Sequence, residues 1–112
     1  MNLEDLEPHE RIAFAGMVRV MVRADGVLTP AESAALSRLA REVGSARFWA
    51  CMTEVQQVVR DNEDLSDTVR NVKRREVQEW IYEVLVGISA ADGNMGEVEG
   101  HMLDWVRAVW SL

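Results

Sequence analysis

The chain has 112 residues, 48% of them apolar, with nineteen acidic against twelve basic side chains and a formal charge of −7. That length supports a single domain, 1–112, with a core of its own, and the acid excess repels a phosphate backbone, which argues against nucleic acid as a partner. No apolar run approaches the roughly 18 residues needed to span a bilayer, so no membrane insertion is expected.

The opening stretch, MNLEDLEPHE, is acidic where a secretory signal needs a basic segment followed by an apolar one, so a cytoplasmic location is expected. Proline stands only at positions 8 and 30, alternation at period two is absent, and apolar residues recur at three and four. The chain therefore reads as all-α, a helical bundle of about five to seven helices. The first helix is expected to start near Pro8 and to bury Ile12, Phe14, Ala15, Val18, Met21 and Val22, with Gly26 as its left-handed cap.

The second helix opens on Thr29, Pro30, Ala31 and Glu32, a capping threonine, a proline at the first helical position and a capping-box glutamate. Ala35, Leu36, Leu39 and Val43 form its buried stripe and Gly44 ends it. A third helix is expected from about Ala46 to Arg60, burying Phe48, Cys51 or Met52, Val55 and Val59 while exposing Glu54 and Gln57. Cys51 is the one cysteine, so it forms no internal disulfide and reads as a small buried hydrophobe. Asp61 to Ser66, DNEDLS, has turn composition, with Ser66 as the expected N-cap of the next helix.

From Val69 to Ile88 the apolar residues hold a helical period, in one helix or in two with a break near Asn71 to Arg74. The short basic run Lys73 to Arg75 reads as a helix junction or solvated face rather than a phosphate contact. A last helix, about Glu97 to Trp110, is expected to bury Val98, Met102, Leu103 and Val106.

One corner is written twice. ADGVLTPAE begins at Ala24, and ADGNMGEVE begins 67 positions later at Ala91. Ala24, Asp25, Gly26, Glu32 and Leu36 match Ala91, Asp92, Gly93, Glu99 and Leu103. Apolar character also matches at Leu28/Met95, Leu39/Val106 and Val43/Trp110, and upstream at Val18/Leu85 and Met21/Ile88. The expected unit is a hairpin of helix, ADG corner and helix, present in two pseudo-symmetric copies around an inserted segment.

Neither corner is a complete EF-hand. Asp25, Gly26 and Glu32 fit positions 5, 6 and 12 of that loop, as do Asp92, Gly93 and Glu99, but positions 1 and 3 fall on Met21 and Arg23 or on Ile88 and Ala90, which offer no side-chain oxygen. Two readings then stand side by side. In one, the glycines supply positive φ and Glu32 and Glu99 complete N-terminal caps. In the other, the corners come together and Asp25, Glu32, Asp92 and Glu99 share a hard divalent cation, calcium or magnesium, that offsets their repulsion. Capping accounts poorly for an aspartate before each glycine, since a carboxylate at a helix C-terminus meets the negative end of the dipole.

The paired ADG-x5-E corners, each between apolar helices and separated by a helical insertion, resemble the tellurite-resistance TerB family and the related N-terminal domain of the DjlA co-chaperone. The resemblance covers nearly the whole chain. It implies an all-helical bundle of two related hairpins, with Asp25, Glu32, Asp92 and Glu99 forming a surface for a divalent metal or a protein partner. The chain departs from the family in carrying Gly96 where a Ser or Thr cap would stand.

Other chemistry is sparse. His101 follows Glu97 by four residues and shares its helix face, which falls short of the three or four ligands of a zinc site. His9 lies beside Glu10 with no nucleophile motif near it. There is no GxSxG, phosphate loop or HExxH, so a non-catalytic module is expected, and the resemblance implies a role in tellurite resistance or another stress response. Trp49, Trp80, Trp105 and Trp110 exceed the needs of a small core, and Trp105 matches Arg38 of the other repeat. It is the expected contact for a protein partner or a homodimer. The alternative role is accordingly a scaffold that dimerises through tryptophan and uses the acidic corners only as caps.

Overall fold

The computed structural model describes residues 3–23, 30–90 and 97–112, excluding the side chains of 23, 32 and 97–99. After a short 3-10 turn at Leu3–Asp5 come six α-helices: α1 (Pro8–Arg23), α2 (Pro30–Val43), α3 (Ser45–Val58), α4 (Asn62–Arg70), α5 (Arg75–Ser89) and α6 (Glu97–Trp110). The described residues contain no strand, as the missing period-two alternation requires.

The first helix is more central than its expected stripe. Every residue from Ile12 to Val18 is buried, including Ala13 and Met17, while Val22 is only partly covered. The reason is packing on several sides at once, since α1 lies against α3, α4 and α5. A helix apolar all round belongs in a core. Gly16 permits the closest of these approaches: a Cβ built there would stand 2.6 Å from Cδ1 of Leu65 on α4.

The second and third helices follow the expected pattern. Leu36, Leu39 and Val43 are buried on α2, with Ala40 in addition and Ala35 half-buried. Gly44, at φ 104°, reverses the chain directly into α3, a conformation that glycine adopts without the Cβ penalty. Phe48, Cys51 and Val55 face the core from α3. Burial pushes the Cys51 thiol up, away from the reactive thiolate.

The start of α4 corrects the expected turn. Ser66 is not an N-cap but sits inside the helix, which begins at Asn62, four residues after α3 ends at Val58. Asp61 caps it, its side chain accepting the Asp64 N–H at 2.8 Å, while the Asp64 carboxylate accepts the Arg60 N–H at 3.2 Å. Glu63 and Asp64 in the first turn suit the positive end of the dipole. The acidic run is thus a helix start rather than a turn.

The period from Val69 to Ile88 is carried by two helices, with α4 ending at Arg70 and α5 beginning at Arg75. Five pairs of sequence-matched apolar positions share burial. Val18/Leu85, Met21/Ile88, Leu36/Leu103, Leu39/Val106 and Val43/Trp110 are buried in both copies. Their surroundings differ, because the inserted α3 and α4 wrap α1, whereas α5 packs on α1, α2 and α6. Among the described residues no helix is long and apolar enough to cross a membrane.

Candidate functional site

The acidic corners lie at the limits of what the structure describes. Asp25 and Asp92 fall outside the described residues, as do Gly26, Gly93, Thr29 and Gly96. Glu32 and Glu99 occupy the same place in their helices, the third residue of α2 and of α6, with side chains outside the description. The expected Glu97–His101 pair is likewise reduced to His101, which is exposed on α6.

The polar centre that the structure does place was only half legible. Lys73 to Arg75 form the junction between α4 and α5, and two of the three side chains tie it to opposite ends of the chain. Arg74 donates through Nε to Oε2 of Glu10 at 3.0 Å, and through Nη2 to Oε1 at 2.6 Å and to the Asp5 carbonyl at 2.7 Å. Glu10 is buried to 1% exposure, and its Oε1 also accepts the Glu7 N–H at 2.7 Å, the back-bond of a capping box at the start of α1. The Arg74 hydrogen bonds, opposed by burial, hold the Glu10 carboxyl below its ordinary value, and the same pairing raises Arg74. In the sequence Glu10 is marked only by standing three residues after Glu7 and two before Ile12, the start of the helical stripe.

Arg75 fastens the other end. Its Nη1 donates to the Trp110 carbonyl at 2.9 Å and its Nη2 to the Ser111 carbonyl at 3.3 Å, where a cation complements the negative end of α6. Ser111 at φ 55° and the Leu112 N–H on the Arg107 carbonyl at 3.0 Å close that helix as a Schellman cap. Trp110, itself buried, donates its indole N–H to the Val69 carbonyl of α4 at 3.0 Å. Trp110→Phe is expected to cost about 1–2 kcal/mol in urea denaturation, because a buried carbonyl loses its donor and part of the volume empties. A loss below about 0.5 kcal/mol would show that the bond does not hold α6 to α4.

One further group has the distances for a cation. Glu7, His9 and Glu10 each offer a ligand atom within 4.8 Å of the others. Both Glu10 oxygens already accept hydrogen bonds from Arg74, and Glu7 and His9 are exposed, so a cation there has to displace a guanidinium from a buried carboxylate. That exchange is unfavourable. The arrangement is a structural clamp before it is a metal site.

The tryptophans divide. Trp110 is core and Trp80 stacks at 5.0 Å on Phe14. Trp105 is half-buried, while Trp49 on α3 is 49% exposed, its ring edge-on to Phe48. Exposure therefore singles out Trp49, which sequence matching between the repeats had no means of finding.

A family model, that of tellurite resistance protein TerB, matches residues 11–111. No curated protein and no solved structure matches the chain significantly.

Proposed function

The chain belongs to the TerB family, and we propose that it acts as a non-catalytic module of the tellurite-resistance response that holds a divalent cation, calcium or magnesium, at its acidic corners. Asp25, Glu32, Asp92 and Glu99 supply the oxygens, and the cation-loaded surface is where a protein partner docks. The observation that carries the reading is the repeat: two corners keep the same aspartate and glutamate, on hairpins whose matched apolar positions are buried alike. Carboxylate oxygens are the ligands that calcium and magnesium select, and an aspartate following a helix in sequence gains nothing from that helix's dipole.

The test is thermal unfolding with and without cation. A ligand that binds only the folded chain, at about ten times its dissociation constant, stabilises by about 1.4 kcal/mol and raises Tm by about 5 °C. Asp25→Asn combined with Asp92→Asn is expected to abolish that rise. A double variant stabilised as much as the parent chain sinks the reading and leaves the corners as caps, with Trp49 or Trp105 then the surface to examine for a homodimer.

A further inference from the structure

Two hollows, of about 280 and 360 Å³, lie side by side along the first half of α4 and share Val20, Asn62 and Leu65. Arg19 and Arg60 line the first; Met17, Met102 and Trp105 line the second. Together they make one groove with a cationic end and an apolar, aromatic end. Among the described residues Arg47, Arg74 and Arg75 pair with carboxylates. Neither Arg19 nor Arg60 has a salt bridge among the described residues, and the Arg19 Nε is buried with no hydrogen-bond partner. A buried donor left unmade costs free energy, and a native structure that keeps one has a reason for it.

We propose that this groove binds an amphipathic monocarboxylate, a straight-chain fatty acid of medium length, with its head on Arg19 and Arg60 and its tail running past Leu65 to Met102 and Trp105. A carboxylate matches the planar guanidinium fork, and the two arginines that line this end supply its charge complement. The single acidic side chain on the lining, Asp61, has its carboxylate engaged with the Asp64 N–H and does not serve Arg19. The net charge of −7 favours a singly charged head over a phosphate of higher charge. Methionine and tryptophan give the tail an adaptable apolar wall. The site is separate from the acidic corners and does not depend on the cation.

The experiment is a titration of the full chain with decanoate, below its micelle concentration, followed by amide and indole NMR. Saturable shifts are expected at Asn62, Leu65, Ser66 and the Trp105 indole. Decanol, which lacks the charge, acetate, which lacks the tail, and decyltrimethylammonium, which reverses the charge, should each bind at least tenfold more weakly. Arg19→Met should weaken decanoate tenfold or more without lowering Tm, since it removes an unsatisfied donor while keeping most of the apolar stem. Arg60→Met provides the same test from the exposed side. Asp25→Asn with Asp92→Asn should leave decanoate binding unchanged. The proposal is overturned if decanoate does not saturate, if decanol binds as well, if Arg19→Met and Arg60→Met bind like the parent, or if sedimentation shows a second copy of the chain covering Trp105.

Discussion

An Arg74→Met variant is expected to lose more stability than a Glu10→Met variant, although both break the same ion pair. The asymmetry follows from exposure. The Glu10 side chain is 1% exposed and that of Arg74 is 40% exposed, so removing the arginine strands a buried carboxylate while removing the glutamate frees a guanidinium to water. Glu10→Met should cost about 2 kcal/mol, the loss of charge-assisted hydrogen bonds and of the back-bond to Glu7. The double variant should recover part of the Arg74→Met loss, because both charges are then gone.

The pH dependence carries the sharper sign. In the parent chain Glu10 is held below its ordinary value of 4.5 by Arg74, so the pair's contribution is fully present above that value and is lost as pH falls through the depressed folded value. In Arg74→Met burial becomes the largest influence on the carboxyl and pushes it up against the remaining Glu7 N–H bond, and protonation then relieves the penalty. The stability gap between parent and variant should therefore narrow as pH falls from about 6 to about 4 in urea titrations. Equal losses in the two single variants, or a gap independent of pH, would show that the clamp is not a buried charge pair.

Phe14→Ala is expected to cost about 3–5 kcal/mol, enough to approach the whole stability of a small domain. Phe14 is 1% exposed and sits on the helix that α3, α4 and α5 enclose, with its ring edge-on to Phe48 at 6.3 Å and tilted on Trp80 at 5.0 Å. Three helices around one cavity cannot collapse into it together, which keeps the cost at the upper end of the range for such truncations. Chemical denaturation measures the loss, and Trp80 emission should shift as its neighbour is removed. A cost below about 1 kcal/mol would place the core elsewhere.

What was legible in the sequence was set by range. Helix type and most ends are local properties, and Pro8, Pro30, Gly44 and the three-to-four spacing gave α1, α2, α3 and α6 within a residue or two of their observed bounds. Asp61 was misread because DNED serves a turn and a helix start equally well, and the choice is made by its hydrogen bond to Asp64. The continuous burial of α1 from Ile12 to Val18 was hidden because alanine and methionine carry no stripe of their own and only packing on three sides covers them. The Glu10–Arg74 clamp joins residues 64 positions apart, a distance over which one sequence gives no pairing signal. The acidic corners are a repetition in the sequence whose Asp25 and Asp92 lie outside the described residues.

The claim that these corners bind a shared cation is tested most directly by its stoichiometry. Calorimetric titration of the metal-free chain with calcium, and separately with magnesium, is predicted to saturate at about one ion per chain for at least one of the two, with oxygen ligands drawn from both corners. Asp25→Asn alone and Asp92→Asn alone should each remove that binding, since half of a shared site is no site, while Glu54→Gln on the exposed face of α3 should leave it intact. No saturable heat with either ion, or binding that survives both single substitutions, would contradict the account.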